Sequence, residues 1–260
     1  MTGERTAMTD PMDLSGRVAV VVGGSGGIGA ATSRAFAAAG AAVVATYRSG
    51  RADAEALVSA LPGGAERGHA ALPAAVEETP TLVALAAEVE RRFGRADVLV
   101  NTGGFTKAIP HADLDALDDD FIDRMFAVNW RGQFAAVRAF RRLLEANGDR
   151  LVINISSIAG INGAGSNIAY GAAKAGMDVM TKSLARALAP AVRVMGVSPG
   201  VVDTGFVPGR DAAANAKIAP SIPLKRVATA EDVARAVLAC ATLLPYSTGS
   251  TVLVDGGRAL

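Results

Sequence analysis

The sequence has 260 residues, of which 50% are hydrophobic and 20% are charged, so it can bury the core of one globular domain and is not disordered throughout. Its 26 basic and 25 acidic residues nearly balance, which predicts no binding to nucleic acid and none to a membrane surface. No apolar run is long enough to span a membrane, and the single cysteine, Cys240, excludes an internal disulfide. We expect a cytoplasmic protein, and the sequence predicts no metal site.

The chain begins with MTGERTAMTDPMD, which lacks the apolar centre of a signal peptide, and we expect residues 1–13 to form a flexible tail. From residue 14 to residue 260, short β-branched runs alternate with longer alanine-rich segments of helical period. This alternation predicts one α/β domain. The first two helices should begin at about Gly27 and Ala52. The predicted strands cover residues 17–23, 41–47, 97–101, 150–156, 192–198 and 250–256.

These strands are continuously apolar rather than alternating, which is typical of a parallel sheet covered by helices on both faces. The weakest strand candidate covers residues 68–73 and contains Pro73, which removes one donor from the ladder. Such a strand is tolerated at an edge, where the doubly wound order 3-2-1-4-5-6 places the third strand. The sequence therefore predicts a single-domain Rossmann fold with a sheet of about seven strands.

The first chemical motif is GGSGGIG at residues 23–29, between the first predicted strand and the first predicted helix. Glycines at such a turn let the backbone approach a pyrophosphate, and the helix N-terminus offers unpaired N–H groups. A glycine-rich turn also serves ordinary strand–helix corners, so its position after the first strand is what favours a dinucleotide site. The residues expected to bind the cofactor here are Gly23, Ser25, Gly27, Ile28 and Gly29.

The end of the second predicted strand bears on which nicotinamide cofactor is bound. An acidic residue there usually binds the ribose 2′-hydroxyl of NAD, whereas an arginine accommodates the 2′-phosphate of NADP. Here Tyr47 holds the acidic position, and Arg48 and Ser49 follow with a guanidinium and a hydroxyl suited to a phosphate. The alternative is a solvated arginine at a strand end. The sequence predicts NADP, with NAD less favoured.

Residues 157–174, SIAGINGAGSNIAYGAAK, place three polar groups in a stretch rich in alanine and glycine. Tyr170 and Lys174 are four residues apart on a predicted helix and therefore share a face. A neighbouring ammonium and the positive charge of an oxidised nicotinamide would lower the tyrosine pKa from its usual value of about 10, so that Tyr170 exchanges a proton with substrate. Ser157 would hydrogen-bond the substrate oxygen. The alternative is a structural role for each residue.

Six further motifs follow in order: RFGRADVLVN (92–101), FAVNWRGQF (126–134), VINISSIAG (152–160), YGAAK (170–174), SPGVVDT (198–204) and VLVDGG (252–257). With the glycine spacing of residues 23–29, they resemble the classical short-chain dehydrogenase/reductase family over about residues 14–257. By motif, the chain is most similar to its 3-oxoacyl-carrier-protein reductase-like members. The resemblance implies an NADP(H)-dependent oxidoreductase that transfers hydride between nicotinamide and a ketone or secondary alcohol.

The resemblance also implies roles for individual residues. It implies a catalytic set of Asn129, Ser157, Tyr170 and Lys174. Lys174 is further implied to bind the nicotinamide ribose, and Asn129 to hold a water that links the lysine to solvent. The backbone around Asn101 and Gly103 is implied to line the adenosine side. The residues implied to hold the nicotinamide ring and its carboxamide are Pro199, Gly200, Val202 and Thr204.

Three departures from the family pattern concern cofactor affinity and hydrogen bonding in the sheet rather than the chemistry. Val22 stands where the family usually has threonine before the first glycine. Residues 101–104 read NTGG in place of NNAG, and Ala75 aligns with the aspartate that usually touches the adenine edge. We expect Thr102 to replace some of the missing polar contacts.

Residues 205–225, GFVPGRDAAANAKIAPSIPLK, occupy the family's substrate-lid position and should be mobile. Their apolar residues predict an apolar or mixed ligand: Phe206, Val207, Ile218 and Ile222. Where carrier-linked reductases present arginines to the acidic carrier protein, this sequence reads EANGD (145–149) and ALAPA (187–191). A free ketone or alcohol is therefore at least as well supported as a carrier-bound substrate.

The resemblance further implies a homotetramer. The helix after Asn129 and the helix bearing Tyr170 should present small and apolar residues to a partner, namely Phe134, Ala172, Ala173 and Met177. Two other function classes remain open. A catalytically idle, dinucleotide-binding redox sensor would not need all four catalytic residues, and a Rossmann methyltransferase would not carry the Tyr-x-x-x-Lys helix.

Overall fold

The apolar runs of the sequence form a seven-stranded parallel sheet in the computed structural model, which describes residues 10–146, 148 and 150–260. The order of the strands is β3-β2-β1-β4-β5-β6-β7, so the predicted doubly wound Rossmann fold is confirmed. Residues 1–9 of the predicted tail lie outside the described residues. The strands are β1 Val18–Val22, β2 Ala42–Tyr47, β3 Ala70–Pro73, β4 Val98–Asn101, β5 Arg150–Ile155, β6 Val192–Pro199 and β7 Thr251–Val254.

Helices connect the strands and cover both faces of the sheet. A turn of π-helix, Ala127–Arg131, joins α4 to α5, and short 3-10 turns occur at Gly64–Arg67 and Ala219–Ser221. The α-helices are α1 Gly27–Ala38, α2 Arg51–Ser59, α3 Thr79–Phe93, α4 Asp119–Phe126, α5 Gly132–Glu145, α6 Ala159–Asn162, α7 Ile168–Leu188, α8 Ala212–Ile218 and α9 Ala230–Thr242.

Alternate residues of the buried strands serve two separate cores. In β1, Val18, Val20 and Val22 pack with Leu82 of α3 and Phe140 of α5 on one face. On the other face, Ala19 and Val21 of β1 pack with the fully buried Phe36 of α1. Val233 and Val237 of α9 belong to the same core. Both faces are therefore buried, which explains why the strands are apolar throughout.

The edge strand β3 is the weak strand of the sequence. Among the described strands it pairs with β2 alone, in a parallel register that runs from Val44 opposite Ala70 to Tyr47 opposite Pro73. Pro73 is the last residue of the strand and is exposed, so its missing N–H leaves no buried partner unsatisfied. This placement confirms the prediction for residues 68–73.

The chain reverses its winding direction between β1 and β4, which are adjacent in the sheet. In an open α/β sheet, a crevice forms outside the carboxyl ends of the strands at such a point. The turn after β1 and the residues after β4, β5 and β6 all lie at this edge. The fold therefore brings together the motifs that are far apart in the sequence.

The prediction for the outer face of α7 is partly wrong. Ala173 and Met177 are fully buried inside the chain, while Ala172 is exposed and Phe134 on α5 has 36% of its surface exposed. Trp130 is half-buried: its ring lies 3.1 Å from the position that a Cβ on Gly176 would take, and it stacks on the Phe134 ring with centroids 6.1 Å apart. α7 is apolar on several sides, and its packing against β6, α6, α4 and the π-helical turn decides which sides are buried.

The segment predicted as a lid contains α8 and the 3-10 turn at Ala219–Ser221. Its two ends are joined by a parallel bridge between Val202 and Ala228, with Asp203 N–H donating to the Ala228 carbonyl at 2.8 Å. Nearer its end, Leu224 N–H donates to the carbonyl of Gly256 at 3.1 Å. The lid is therefore a closed loop anchored on the C-terminal residues.

Candidate active site

The glycine turn after β1 is built for close backbone contact. Gly23 has φ +79°, and a Cβ there would lie 2.9 Å from the backbone of Gly103. A Cβ on Gly29 would lie 2.1 Å from the Gly23 carbonyl oxygen, so the turn requires glycine at both positions. Gly26 begins α1 with no side-chain cap and with open space around it. The first N–H groups of α1 therefore face a cavity that suits a phosphate group.

Thr102 ties the ends of β1 and β4 together beneath this turn. Its hydroxyl donates to the Val22 carbonyl at 2.7 Å, and the hydroxyl of Thr46 accepts from Gly23 N–H at 2.9 Å. Val22 itself is fully buried and offers no polar side chain. Thr102 thus gives the end of β1 a side-chain hydrogen bond, and its role as a substitute for a threonine at position 22 stays a prediction. Ala75 makes backbone hydrogen bonds to the Thr81 hydroxyl instead of offering a carboxylate.

Arg48 lies at the end of β2, where the sequence predicts a contact to the cofactor's 2′-phosphate. Its side chain is 57% exposed, and Nη1 donates to Glu77 Oε1 at 3.2 Å. Tyr47 and Arg48 both line the cavity, whereas Ser49 is exposed and does not. The end of β2 therefore offers a guanidinium held in place by one weak surface ion pair.

The N-terminus of α7 positions Tyr170. Asn167 caps the helix by accepting from Tyr170 N–H at 2.7 Å, and it donates to the Lys107 carbonyl at 2.9 Å. Burial raises the pKa of Tyr170 to about 12, and a hydrogen bond to Ser157 opposes that rise. The chain alone thus shifts this pKa in the direction opposite to the one expected, because burial outweighs every charge near the ring.

Lys174 lies one turn further along α7 and is 4% exposed. Its Nζ donates to the carbonyl of Ile155 at 2.7 Å and lies 5.7 Å from the centroid of the Tyr170 ring. Burial lowers the pKa of Lys174 to about 8, and the charge of Asp178 acts in the opposite direction. The hydrogen bond to Ile155 therefore fixes the Lys174 ammonium at the carboxyl end of β5.

Asn129 lies in the π-helical turn between α4 and α5, a kind of turn that is frequent at functional sites. Its Nδ2 donates to the carbonyls of Phe105 at 3.0 Å and Met125 at 3.1 Å. Its Oδ1 is buried and has no hydrogen-bond partner among the described residues. A Cβ on Gly104 would lie 2.7 Å from this oxygen, so a glycine keeps the space beside it open. The orphaned acceptor suits a bound water.

The residues after β6 form the opposite wall. A Cβ on Gly200 would lie 2.9 Å from the Cα of Asp255, and a Cβ on Gly27 would lie 3.2 Å from Thr204 Cγ2. The loop after β6 therefore packs directly against the glycine turn after β1. Pro199, Gly200, Val202 and Thr204 all line the same cavity as that turn.

These walls enclose a cavity of about 940 Å³, large enough for a cofactor and a small substrate. Three of the predicted residues do not line it. Ser49 points to solvent, Asn101 is buried and donates to Asn154 Oδ1 at 2.9 Å, and Asn129 lies behind the wall. The predicted site residues that line the cavity are Gly23, Ser25, Gly27, Ile28, Gly29, Arg48, Gly103, Ser157, Tyr170, Lys174, Pro199, Gly200, Val202 and Thr204.

The lid contributes both predicted and unpredicted residues to the cavity. Phe206, Val207 and Ile218 line it, and the Phe206 ring centroid lies 5.9 Å from that of Tyr170. The prediction for Ile222 is wrong: it is 1% exposed and packs beside Gly256, outside the cavity lining. Arg210 also lines the cavity and was not predicted to do so. The sequence signal for it was its position in the lid, within an alanine-rich stretch.

Other kinds of site are not found in the part of the chain that the structure describes. It holds no group of three or more His, Cys, Asp or Glu residues placed to bind a metal ion. No helix there is both long enough and apolar enough to cross a membrane. The Cys240 thiol is buried, and burial raises its pKa to about 11, so it is a poor nucleophile.

The sequence is similar to proteins that are named as reductases and dehydrogenases. A family model described as enoyl-(acyl carrier protein) reductase matches residues 23–259. The chain is 37% identical over 245 residues to a Streptomyces violaceoruber protein named as a ketoacyl reductase of the granaticin polyketide synthase, covering 94% of this chain and 96% of the relative. It is 36% identical over 247 residues to cis-4-hydroxycyclohexanecarboxylate dehydrogenase of Sinomonas cyclohexanicum, covering 93% and 96% respectively.

A solved structure agrees over the same length. A short-chain dehydrogenase/reductase from Brucella melitensis, described as glucose/ribitol dehydrogenase, superimposes with a TM-score of 0.88 at 30% sequence identity. The match covers 95% of this chain and 98% of the other. The fold is therefore shared over almost the full length of both chains.

Proposed function

The chain belongs to the short-chain dehydrogenase/reductase family and is an oxidoreductase, and from that premise we propose that it interconverts a ketone and a secondary alcohol with NADP(H). The observation that carries the proposal is the wall formed by Ser157, Tyr170 and Lys174. These three side chains line one cavity, which continues to the glycine turn at the start of α1.

The proposed roles follow from the contacts of each residue. Tyr170 donates its hydroxyl proton to the carbonyl oxygen of the ketone, and Ser157 donates a hydrogen bond to the same oxygen. When bound, the nicotinamide would supply the hydride to the carbonyl carbon and accept one back from the alcohol. The raised pKa of Tyr170 keeps its hydroxyl protonated, as a general acid requires.

Lys174 and Asn129 are proposed to return the proton. The ammonium of Lys174 is held by the Ile155 carbonyl on the Tyr170 side of α7. The unpartnered Oδ1 of Asn129 is proposed to hold a water between this lysine and solvent, as the family resemblance implies. Lys174 is also proposed to bind the ribose next to the nicotinamide.

NADP is proposed over NAD because the end of β2 offers Arg48 and no carboxylate. The 2′-phosphate would replace Glu77 as the partner of the guanidinium, with Ser49 available for a further hydrogen bond. The ion pair between Arg48 and Glu77 is exposed and therefore costs little to exchange. The fit of the cavity to a dinucleotide is supported by the open space at Gly26.

The substrate is proposed to be a free ketone or alcohol of small size. Phe206, Val207 and Ile218 give the lid side of the cavity an apolar surface, and the Sinomonas relative is named for a hydroxycyclohexanecarboxylate, a free ring alcohol that also carries a carboxylate. The alternative is a carrier-bound 3-oxoacyl group, which the name of the Streptomyces relative favours. The second alternative is an idle redox sensor that binds the dinucleotide without turnover.

A homotetramer is proposed from the exposed apolar surface of α7 and its neighbours. Ile168 is 44% exposed, Val179 is 62% exposed, and Ala172 lies between them on the same stripe of α7. Phe126 of α4 and Phe134 of α5 add two partly exposed rings. Such a surface is suited to a helix pair from a second copy. A cytoplasmic location, where Cys240 would stay reduced, also remains part of the proposal.

The test is an assay of nicotinamide absorbance with a panel of ketones and alcohols, each with NADP(H) and NAD(H). We expect reduction of at least one free ketone with NADPH, at a higher kcat/KM than with NADH. Activity only on a carrier-linked 3-oxoacyl substrate would select the first alternative. Tight binding of the cofactor without turnover of any substrate would select the redox sensor.

A further inference from the structure

The cavity is lined by positive charges and by no carboxylate among the described residues. Its cationic residues are Arg48, Lys174, Arg210 and Arg258. Arg48 lies at the end of β2, and the ammonium of Lys174 is held by a β5 carbonyl. The guanidiniums of Arg210 and Arg258 therefore remain on the lid side of the cavity, and an uncharged ketone would supply no negative charge to either.

Arg210 is the more constrained of the two. Its Nη2 donates to the Val202 carbonyl, while its Nε is buried and has no hydrogen-bond partner in the described part of the chain. The nearest acidic group that attracts it is Asp203, whose carboxylate already accepts from Asn215 Nδ2 at 2.7 Å. Burying a guanidinium with an unused donor is costly, and a negative charge on a ligand in the cavity would offset part of that cost.

The position of Arg210 relative to the reacting group limits what that ligand is. Arg210 is close enough to Tyr170 for their charges to interact, and it enters the cavity four residues after Phe206, which packs on the Tyr170 ring. Tyr170 marks the carbonyl under reduction in the proposed function. An acceptor for Arg210 would therefore belong to the same small molecule as that carbonyl.

Arg258 adds a second positive charge from the C-terminal residues. Its Nη1 donates to the Ser221 hydroxyl at 2.7 Å, which joins the C-terminus to the end of the lid. Arg258 is partly exposed and lines the same cavity. Its charge favours an anion anywhere on the lid side without fixing where the anion binds.

We propose that Arg210 binds a carboxylate of the substrate, so that the enzyme acts on keto acids and the corresponding hydroxy acids. This inference rests on the proposed ketone–alcohol activity and names the substrate class for the same site. A carboxylate in the cavity matches the fork of N–H donors of a guanidinium and balances its positive charge. The redox step is unchanged: the carbonyl carbon gains a hydride and its oxygen gains the Tyr170 proton, while the carboxylate keeps its charge.

The first experiment compares matched acids and esters. The substrates are 2-, 3- and 4-oxo acids from pyruvate to 4-oxopentanoate and 4-oxocyclohexanecarboxylate, each beside its methyl ester. We expect the wild type to favour at least one acid over its ester by tenfold or more in kcat/KM. The substitution Arg210→Gln should remove that preference by lowering kcat/KM for the acid about tenfold to a hundredfold, with little change for the ester.

Two further variants separate the charge of Arg210 from its packing. Arg210→Lys keeps the charge without the fork of donors and should retain part of the preference for acids. Lys217→Gln removes one exposed charge from α8, outside the cavity lining, and should retain the full preference. Equal losses for acid and ester in Arg210→Gln would mean that the residue only shapes the lid, and would overturn the proposal.

Binding measurements test the carboxylate site independently of whether the enzyme reduces a ketone. Calorimetry with cyclohexanecarboxylate, which has no ketone, tests the carboxylate site on the cofactor-loaded protein without turnover. We expect binding by the wild type and loss of binding in Arg210→Gln, even if no ketone in the panel is reduced. Weaker NADPH binding by Arg210→Gln without substrate would assign the guanidinium to the cofactor. That result, or a wild type without preference for any acid, would overturn the proposal.

Discussion

At the scale of single residues, the candidate site depends on a tyrosine hydroxyl that the chain keeps neutral. Burial raises the pKa of Tyr170 to about 12, and the Lys174 ammonium donates its hydrogen bond to the Ile155 carbonyl. The hydroxyl therefore carries the proton that reduction of a ketone requires, while its raised pKa makes it a weaker acid than a free tyrosine. Oxidation of an alcohol would need the added positive charge of the oxidised nicotinamide to lower that pKa.

We predict that Tyr170→Phe lowers kcat by about a hundredfold to ten-thousandfold, the usual contribution of general acid–base catalysis. The change removes the hydroxyl and keeps the ring against Phe206, so cofactor binding should hold. The measurement is steady-state turnover of a confirmed substrate beside a fluorescence titration of NADPH. Tyr246→Phe alters a fully exposed tyrosine and serves as the control. Near-normal turnover by Tyr170→Phe would show that another group supplies the proton.

The second prediction at this scale concerns Arg48. Arg48→Asp should weaken NADP binding more than tenfold, because a charged hydrogen bond worth about 1.5–3 kcal/mol is replaced by repulsion. NAD binding should hold or improve, and added salt should reduce the preference of the wild type for NADP. Both cofactors would be titrated by fluorescence against each protein. Arg51→Asp changes an exposed arginine at the start of α2, three residues further along the chain, and is the matched control.

Equal losses for NADP and NAD in Arg48→Asp would mean that the residue shapes the loop without contacting the phosphate. Unchanged binding of both cofactors would leave Arg48 as a surface residue paired with Glu77.

Single residues differ in how far their sequence context predicts them. Tyr170 and Lys174 were predictable because a helical spacing of four puts them on one face within a recognisable motif. Arg210 was not, because the lid has no period and an arginine in a loop is ordinarily solvated. Only the tertiary structure buries its Nε beside the cavity.

At the scale of elements, the sheet was predictable and the faces of the helices were less so. Each strand predicted from an apolar run is present, and Pro73 correctly marked β3 as an edge. α7 is apolar on several sides, so its hydrophobic period did not reveal that Ala173 and Met177 face inward. The π-helical turn at Asn129 was also missed, since a shift from i+4 to i+5 bonding leaves no clear trace in side-chain polarity.

The amino ends of three strands meet at Asp97, far from the candidate site. Its carboxylate accepts from Val18 N–H at 2.8 Å and Arg95 Nη2 at 2.6 Å, and it lies 3.0 Å from Arg150 Nη1. Burial alone would raise the pKa of Asp97, but these hydrogen bonds and the two arginine charges hold it below its ordinary value. A group with a depressed pKa stabilises the fold above its unfolded pKa, and that contribution is lost as the pH falls through its folded pKa.

We predict that Asp97→Asn lowers the free energy of unfolding at pH 7 by about 3–5 kcal/mol, the usual cost of breaking a buried ion pair. The difference between variant and wild type should shrink as the pH falls below the ordinary aspartate pKa. Urea unfolding at one fixed protein concentration measures both effects. The control, Glu145→Gln, breaks an exposed pair with Arg141 and should change stability by less than about 1 kcal/mol. A small effect of Asp97→Asn that does not vary with pH would contradict the assignment.

At the scale of the whole molecule, the exposed stripe of α7 is the basis for the predicted assembly. Light scattering should give about four times the chain mass of 26.3 kDa. Val179→Glu should shift the mass to a smaller species, because a charge on the stripe would be buried between copies. Val83→Glu on α3 replaces another exposed valine, 55% against 62% exposed, and should leave the mass unchanged. A monomer mass for the wild type would refute the tetramer.

The bridge between Val202 and Ala228 has a consequence for how new specificities arise in this fold. Because the bridge closes the lid at its base, insertions or deletions between these residues leave the register of β6 and β7 untouched. Lengthening a closed loop costs only about 0.6 kcal/mol for each doubling. We therefore expect that the lid can be exchanged for another segment. Such a segment would present a different side chain in place of Arg210, while Ser157, Tyr170 and Lys174 keep their positions.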